Sequence, residues 1–202
     1  MIDLWEIENG LYNEDIQVLC GVDEAGRGPL AGPVCAAAVV LPRGLVIPGL
    51  NDSKKLSDKR RRELFEIIKE QALDYGIAFA SHTEIDETNI LQATYLAMER
   101  ALAQLKVKPH MALIDGNRAK EFGLPVRTVV KGDSLSANIA AASILAKVTR
   151  DDLMVEMAQQ YPGYGFEIHK GYGTKAHYAA LRELGPCPIH RVTFLKKFYA
   201  QE

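Results

Sequence analysis

Cysteine is scarce in this chain: Cys20, Cys35 and Cys187 are an odd number in no framework spacing. That argues against a disulfide scaffold, and a reduced, cytoplasmic protein is expected. Long hydrophobic runs are also missing. The longest, Val34 to Leu41, is the size of a strand and far short of a membrane span. The first residues, Met1-Ile2-Asp3-Leu4-Trp5-Glu6, are acidic and lack the basic start and apolar core of a secretory signal. Positive charge is not in excess: 24 Lys and Arg stand against 26 Asp and Glu, so composition alone does not announce a polyanion binder. No repeat, low-complexity tract or long linker interrupts the 202 residues, a length that suits one domain with at most a small appendage.

What is present is unevenly placed. Lys54-Lys55 and Lys59-Arg60-Arg61-Arg62 form one basic cluster, and Lys170, Lys175, Arg191, Lys196 and Lys197 load the C-terminal fifth. A polyanion can be gripped locally while the acids sit elsewhere. Ile16–Val22 and Val34–Leu41 read as strands. Ser57 caps a helix carrying Leu64, Ile68 and Ala72, and Ile77–Ala80 is a short strand. Thr83-Glu84-Ile85-Asp86 resembles a capping box that opens one helical region through Leu91, Ala97, Ala101 and Leu105. Met111–Ile114 and Val126–Val130 complete the strands, and a long helix starts near Ser136 with a thin Ala140-Ala141-Ala142 face. Two short helical stretches, 175–184 and 193–200, close the chain. The order indicates an α/β domain with a mixed sheet and a helical C-terminal extension.

Acids stand where apolar strands run out. Asp23 and Glu24 lie between Val18–Val22 and the loop Gly26-Arg27-Gly28; Asp115-Gly116 follows Met111–Ile114; Asp133 follows Val126–Val130. Each alone reads as a turn or cap residue. Their recurrence after separate strands points to convergence at one end of a sheet. Carboxylates brought so close repel one another, and oxygen-only ligands suit hard cations such as Mg²⁺ or Mn²⁺. Two such ions about 4 Å apart clamp the attacking and leaving oxygens of a phosphodiester. Side chains alternate along a strand, so Asp23 and Glu24 cannot share a face of regular strand. The strand is therefore expected to end at Asp23, with Glu24 on irregular backbone.

Gly26-Arg27-Gly28 is neither a Walker A loop nor a dinucleotide fingerprint; it offers exposed amides and the Arg27 guanidinium to a phosphate. Asp52-Ser53-Lys54-Lys55 offers another phosphate contact. The run from Tyr161 to Thr174 mixes Tyr164, Phe166, His169 and Tyr172 with glycines and Lys170. Such a loop can stack on sugars or bases, or pack its rings inward. Cys187-Pro188-Ile189-His190 fits no common zinc spacing, and Ser134, Ser136 and Ser143 lack a nucleophile elbow.

Gly21-Val22-Asp23-Glu24-Ala25-Gly26-Arg27-Gly28-Pro29-Leu30, Asn51-Asp52-Ser53-Lys54-Lys55-Leu56, Ile114-Asp115-Gly116-Asn117-Arg118, Lys131-Gly132-Asp133-Ser134 and the run Ala141 to Asp151 together strongly resemble bacterial ribonuclease HII. His169-Lys170-Gly171-Tyr172-Gly173-Thr174 and His190-Arg191 continue the match, which covers roughly residues 16–195 in the expected order. The resemblance implies a ribonuclease H-like fold, a five-stranded mixed sheet flanked by helices, over residues 1–160, with residues 161–202 as a helical cap packed on it. It implies a monomeric endonuclease cutting RNA paired with DNA and single ribonucleotides embedded in duplex DNA, with Mg²⁺ or Mn²⁺ and no membrane partner. Products would be a 5′-phosphate and a 3′-hydroxyl. Asp23, Glu24 and Asp115 match the family's metal-binding acids and Asp133 its fourth active-site carboxylate. Gly26, Arg27 and Gly28 match the loop that senses the 2′-OH at the junction of ribonucleotide and deoxyribonucleotide, and Tyr172 the ring that stacks on the deoxyribose beyond it. Lys54, Lys55 and the C-terminal cap would hold flanking phosphates without reading sequence. A non-catalytic hybrid-binding module is the main reading from another class, and the intact acids count against it.

Overall fold

The computed structural model describes residues 3–51 and 53–199, without the side chains of Lys55, Lys197 and Phe198. Five strands form one mixed sheet: β1 (Leu19–Ala25), β2 (Val34–Val40), β3 (Asp74–Ala80), β4 (Met111–Asp115) and β5 (Val126–Val129), in the order β3-β2-β1-β4-β5. β1 pairs antiparallel with β2, and parallel with β4, which pairs parallel with β5. The expected sheet is present. Around it lie α1 (Glu6–Asn9), α2 (Asp58–Gln71), α3 (His82–Glu87), α4 (Ile90–Ala103), α5 (Ala137–Gln160), α6 (Phe166–His169), α7 (Lys175–Leu184) and α8 (Val192–Tyr199). Among the described residues no helix is long and apolar enough to cross a membrane.

Alternation along the strands divides the core in two. Cys35, Ala37 and Val39 pack with Leu64 and Ile68 of α2 and the alanine-rich face of α5. Val34, Ala36, Ala38 and Val40 face α4 on the other side, with Cys20 and Val22 of β1. The α5 backbone lies against β1: a Cβ at Gly21 would stand 2.1 Å from the carbonyl carbon of Asn138 and 2.2 Å from the Ile139 nitrogen. At its start, Ser136 caps Ile139 N–H, and the buried Glu8 carboxylate accepts from Ser136 Oγ (2.6 Å) and from Asn138 N–H (3.3 Å). An acid there complements the positive end of the helix, although burial raises the Glu8 pKa.

Three sequence expectations are corrected. β1 does not end at Asp23. It continues to Ala25, with Glu24 opposite Ala36 and Ala25 opposite Cys35, because β2 goes on offering an antiparallel partner after β4 pairing has stopped at Val22. The single helical region after β3 is two helices, broken at Thr88-Asn89, where the Asn89 side chain caps α4 by accepting from Gln92 N–H. The capping box is Ser81 with Glu84, displaced from the expected Thr83–Asp86 pair because β3 delivers the chain directly to Ser81. The aromatic-glycine segment also contains the unforeseen α6, and its Tyr164 and Phe166 pack inward with Leu30, Met154 and Leu181.

Gly21→Ala is expected to destabilise the protein by about 3 kcal/mol, since backbone rather than a flexible side chain stands in the way. Urea unfolding checks it, and a loss below about 1 kcal/mol would contradict the close approach of α5 to β1.

Candidate active site

The end of β1 distributes its two acids to opposite sides of the sheet. Asp23 stands opposite Ala37, on the α5 face; Glu24 stands opposite Ala36, on the α4 face. Asp115 closes β4 beside them, its Oδ1 accepting Gly132 N–H at 2.7 Å. That bond draws in the 3₁₀ turn Gly132–Ser134 and brings Asp133 to the cluster. Oxygens of Asp23, Asp115 and Asp133 all lie within 4.8 Å of one another. Glu24 is outside that trio but interacts electrostatically with Asp115 from across the strand. It lines a cleft of about 270 Å³ with Arg27, Tyr95, Asp115, Asn117 and Arg118.

Asp23 is 3% exposed. Burial, then the charges of Glu24 and Asp115, hold its carboxyl well above the ordinary carboxylate range, against bonds from Glu24 N–H and the Ser143 hydroxyl. Burial raises Glu24 as well, opposed by the Arg27 guanidinium 3.2 Å from Oε1. Lys54, largely exposed, brings its ammonium to 3.6 Å from Asp133 Oδ2. The Lys55 side chain lies outside the described residues. Asp151, the first acid of the long helix, is paired at 2.8 Å with Lys147 one turn earlier.

The loop after β1 is bound from below by two buried arginines. Arg191 donates Nε to Gly32 O (2.9 Å), Nη1 to Arg27 O (2.9 Å) and Nη2 to Gly26 O (2.6 Å). Arg150 donates to the carbonyls of Pro33, Lys170 and Ala31 at 3.0–3.2 Å. Burial, then Arg150, pushes the Arg191 pKa down to about 9. Gly26 has φ +94°, and a Cβ on it would fall 1.9 Å from Arg150 Nε. The nearest neighbour of a Cβ on Gly28 would be the Tyr172 ring, at 3.6 Å. Tyr172 is 41% exposed, with the Arg150 guanidinium 5.9 Å from its ring centre. The loop and the tyrosine, far apart in sequence, are thus side by side.

With this geometry in hand, the ribonuclease HII family model matches residues 20–197. The ribonuclease HII of Endomicrobium trichonymphae is 58% identical over 194 residues, 95% of this chain and 92% of that protein. That of Geobacter metallireducens is 56% identical over 191 residues, 95% and 90% of the two chains. The crystal structure of ribonuclease H2 from Pyrococcus horikoshii superposes with a TM-score of 0.77 at 28% identity, covering 92% of this chain and 98% of that one. The chain belongs to the ribonuclease HII family. It is therefore a ribonuclease H, an endonucleolytic hydrolase acting on RNA–DNA hybrids, built on the ribonuclease H-like fold.

Sequence reasoning missed the anchoring roles that Ser143, Arg150 and Arg191 play in this ribonuclease HII site. Ser143 links Asp23 to Ser53, whose hydroxyl lies 2.8 Å from its own, and so ties the turn bearing Lys54 to the acid cluster. Arg150 and Arg191 hold the glycine loop. A signal existed for two of the three: Ser143, Ala146 and Arg150 fall on one stripe of α5 at helical spacing, a polar pair among buried alanines.

The raised Asp23 carboxyl makes a pH prediction. Its proton is held more tightly in the folded state, so this stabilisation is fully present below the ordinary value of 3.8 and is lost as pH rises through the raised folded value. In chelator, Asp23→Asn is expected to be more stable than the native chain at pH 8, with the difference shrinking as the pH falls. Urea unfolding from pH 8 to pH 4 measures it; a variant less stable than the native chain at pH 8 contradicts the dominance of burial.

Proposed function

We propose that this ribonuclease HII cuts the RNA strand of RNA–DNA hybrids and also single ribonucleotides embedded in duplex DNA, leaving a 5′-phosphate and a 3′-hydroxyl. The observation that carries this reading is the convergence of Asp23, Asp115 and Asp133 within 4.8 Å. Their fit to divalent ions is chemical: the donors are all oxygen, and Asp23 is buried among like charges with its carboxyl raised. Asp23, Asp115 and Asp133 would hold Mg²⁺ or Mn²⁺, joined by Glu24 from the other face of β1. Such a pair of ions, when bound, supplies Lewis-acid stabilisation of the phosphodiester and a more acidic water.

The chain's own groups do the rest. Arg191 already occupies the carbonyls of Gly26 and Arg27, which favours presentation of amides rather than carbonyls to a phosphate or a 2′-OH. Glycine at 26 and 28 lets a sugar approach the backbone closely. Tyr172, exposed beside Gly28, offers a ring to the next deoxyribose. Lys54, and Lys55 next to it, would grip a flanking phosphate without reading sequence. In this reading residues 1–160 form the catalytic domain, and the extension from 161 supplies Tyr172 and Arg191.

A labelled DNA duplex with one ribonucleotide tests the assignment: an internal nick at its 5′ side, blocked by EDTA, is expected. Asp23→Asn and Asp115→Asn should each abolish cleavage while retaining most hybrid binding; near-normal turnover of either with Mg²⁺ would sink the metal assignment. Gly28→Val should crowd Tyr172 and lower activity at a ribonucleotide junction more than affinity for duplexes in general. Equal loss on every duplex argues against junction sensing by this loop.

A further inference from the structure

Three of the five histidines, His169, His177 and His190, gather around the backbone of Tyr172. His177 and His190 are buried. The His169 and His177 rings stack with centroids 4.5 Å apart, and Phe166 meets both edge-on. The shorter of their hydrogen bonds together favour one neutral assignment. Tyr172 O, 3.0 Å from His177 Nδ1, can only accept, so Nδ1 carries the hydrogen. In a neutral ring Nε2 must then accept, and the atom facing it at 3.0 Å is His190 Nε2, which therefore carries the second hydrogen. His190 Nδ1 is left to accept: Cys187 N–H donates to it at 2.9 Å, Cys187 Sγ lies 3.1 Å away, and the longer 3.2 Å approach of Cys187 O is then not a hydrogen bond. His169 follows the same logic: Gly171 N–H donates to Nδ1 at 3.2 Å, so Nε2–H donates to Tyr164 O at 2.8 Å. Burial agrees with neutrality, holding His177 down at about 4.

The chain of rings ends on both sides of one residue. Gly171 N–H is taken by His169 and Tyr172 O by His177, while Tyr172 N–H donates to His169 O at 2.9 Å. Gly171 O in turn accepts Leu30 N–H at 2.8 Å, which ties the same backbone to the loop that carries Gly28. We propose that His177, braced by His190 and stacked on His169, is a positioning residue for substrate discrimination: the neutral imidazoles clamp the Gly171–Tyr172 backbone and so set the Tyr172 ring against Gly28. The clamp rests on the reading of Tyr172 as the ring that receives the deoxyribose.

The test compares kcat/KM on a duplex with one embedded ribonucleotide to kcat/KM on a continuous hybrid, a ratio in which the shared acids cancel. His177→Phe keeps a ring for Phe166 and His169 but removes the donor to Tyr172; His177→Asn restores a donor near the Nδ1 position. The ratio is expected to fall about tenfold in His177→Phe, through KM more than kcat, and to recover to within about threefold in His177→Asn, the scale of one hydrogen bond. An unchanged ratio in folded His177→Phe overturns the clamp. Tyr172→Ala separates the two levels: if it leaves the ratio unchanged, the reading of Tyr172 fails and the clamp with it; if it lowers the ratio while His177→Phe does not, the clamp alone is wrong. Nitrogen-15 NMR of the native chain decides the matter even where a variant does not fold. Hydrogen on His177 Nδ1 and on Nε2 of His169 and His190 at pH 7 supports the clamp; hydrogen on His177 Nε2 overturns it.

Discussion

Backbone meets backbone where α5 crosses β1, with only the hydrogen of Gly21 between them. Everything in the site is measured from that contact. Asp23 lies two residues further along the same face of β1, and Ser143, little more than a turn past Ile139, meets its carboxylate. Just before the helix begins, the turn carrying Asp133 is bonded to Asp115 through Gly132. Two turns beyond Ser143, Arg150 reaches the carbonyls of the loop that follows β1. A thicker residue at position 21 would lift the helix away from Asp23, taking Ser143, Arg150 and the turn that bears Asp133 with it.

Opposite electrostatic solutions sit side by side on this frame. The acids are crowded beyond what their surroundings neutralise, and Asp23 responds by holding its proton. The arginines are as deeply buried, yet backbone carbonyls satisfy them, so their charge stiffens a loop instead of quenching the carboxylates. Crowded carboxyls and, a few residues away, a loop underlain by buried guanidinium groups thus share one end of the sheet.

The strands, the long helix and the acids were legible because each leaves a local trace: an apolar run, a cap, an acid before glycine. Asp23, Asp115 and Asp133 could be grouped from that recurrence alone. Glu24 was misplaced for a physical reason, since alternation was taken to force it off the strand when the sheet simply serves both faces. The split between α3 and α4 was hidden because the apolar pattern runs through Thr88-Asn89, and the true cap is a single asparagine side chain. Arg150 and Arg191 were invisible as anchors because their partners are carbonyl oxygens, which every residue possesses. The tyrosine's place beside Gly28 is a fact of tertiary folding that no spacing encodes.

The arginine at position 191 is separated by 165 residues from the Gly26 carbonyl it holds. On a chain made from its N-terminus, Asp23, Asp115, Asp133 and all five strands precede Arg191, the last anchor of the glycine loop. Loop closure over such a separation comes late and depends on the frame already being formed. A growing chain would therefore hold its acid cluster before the glycine loop beside it is fixed, so that, on the proposed reading of that loop, selectivity is the final property that synthesis confers.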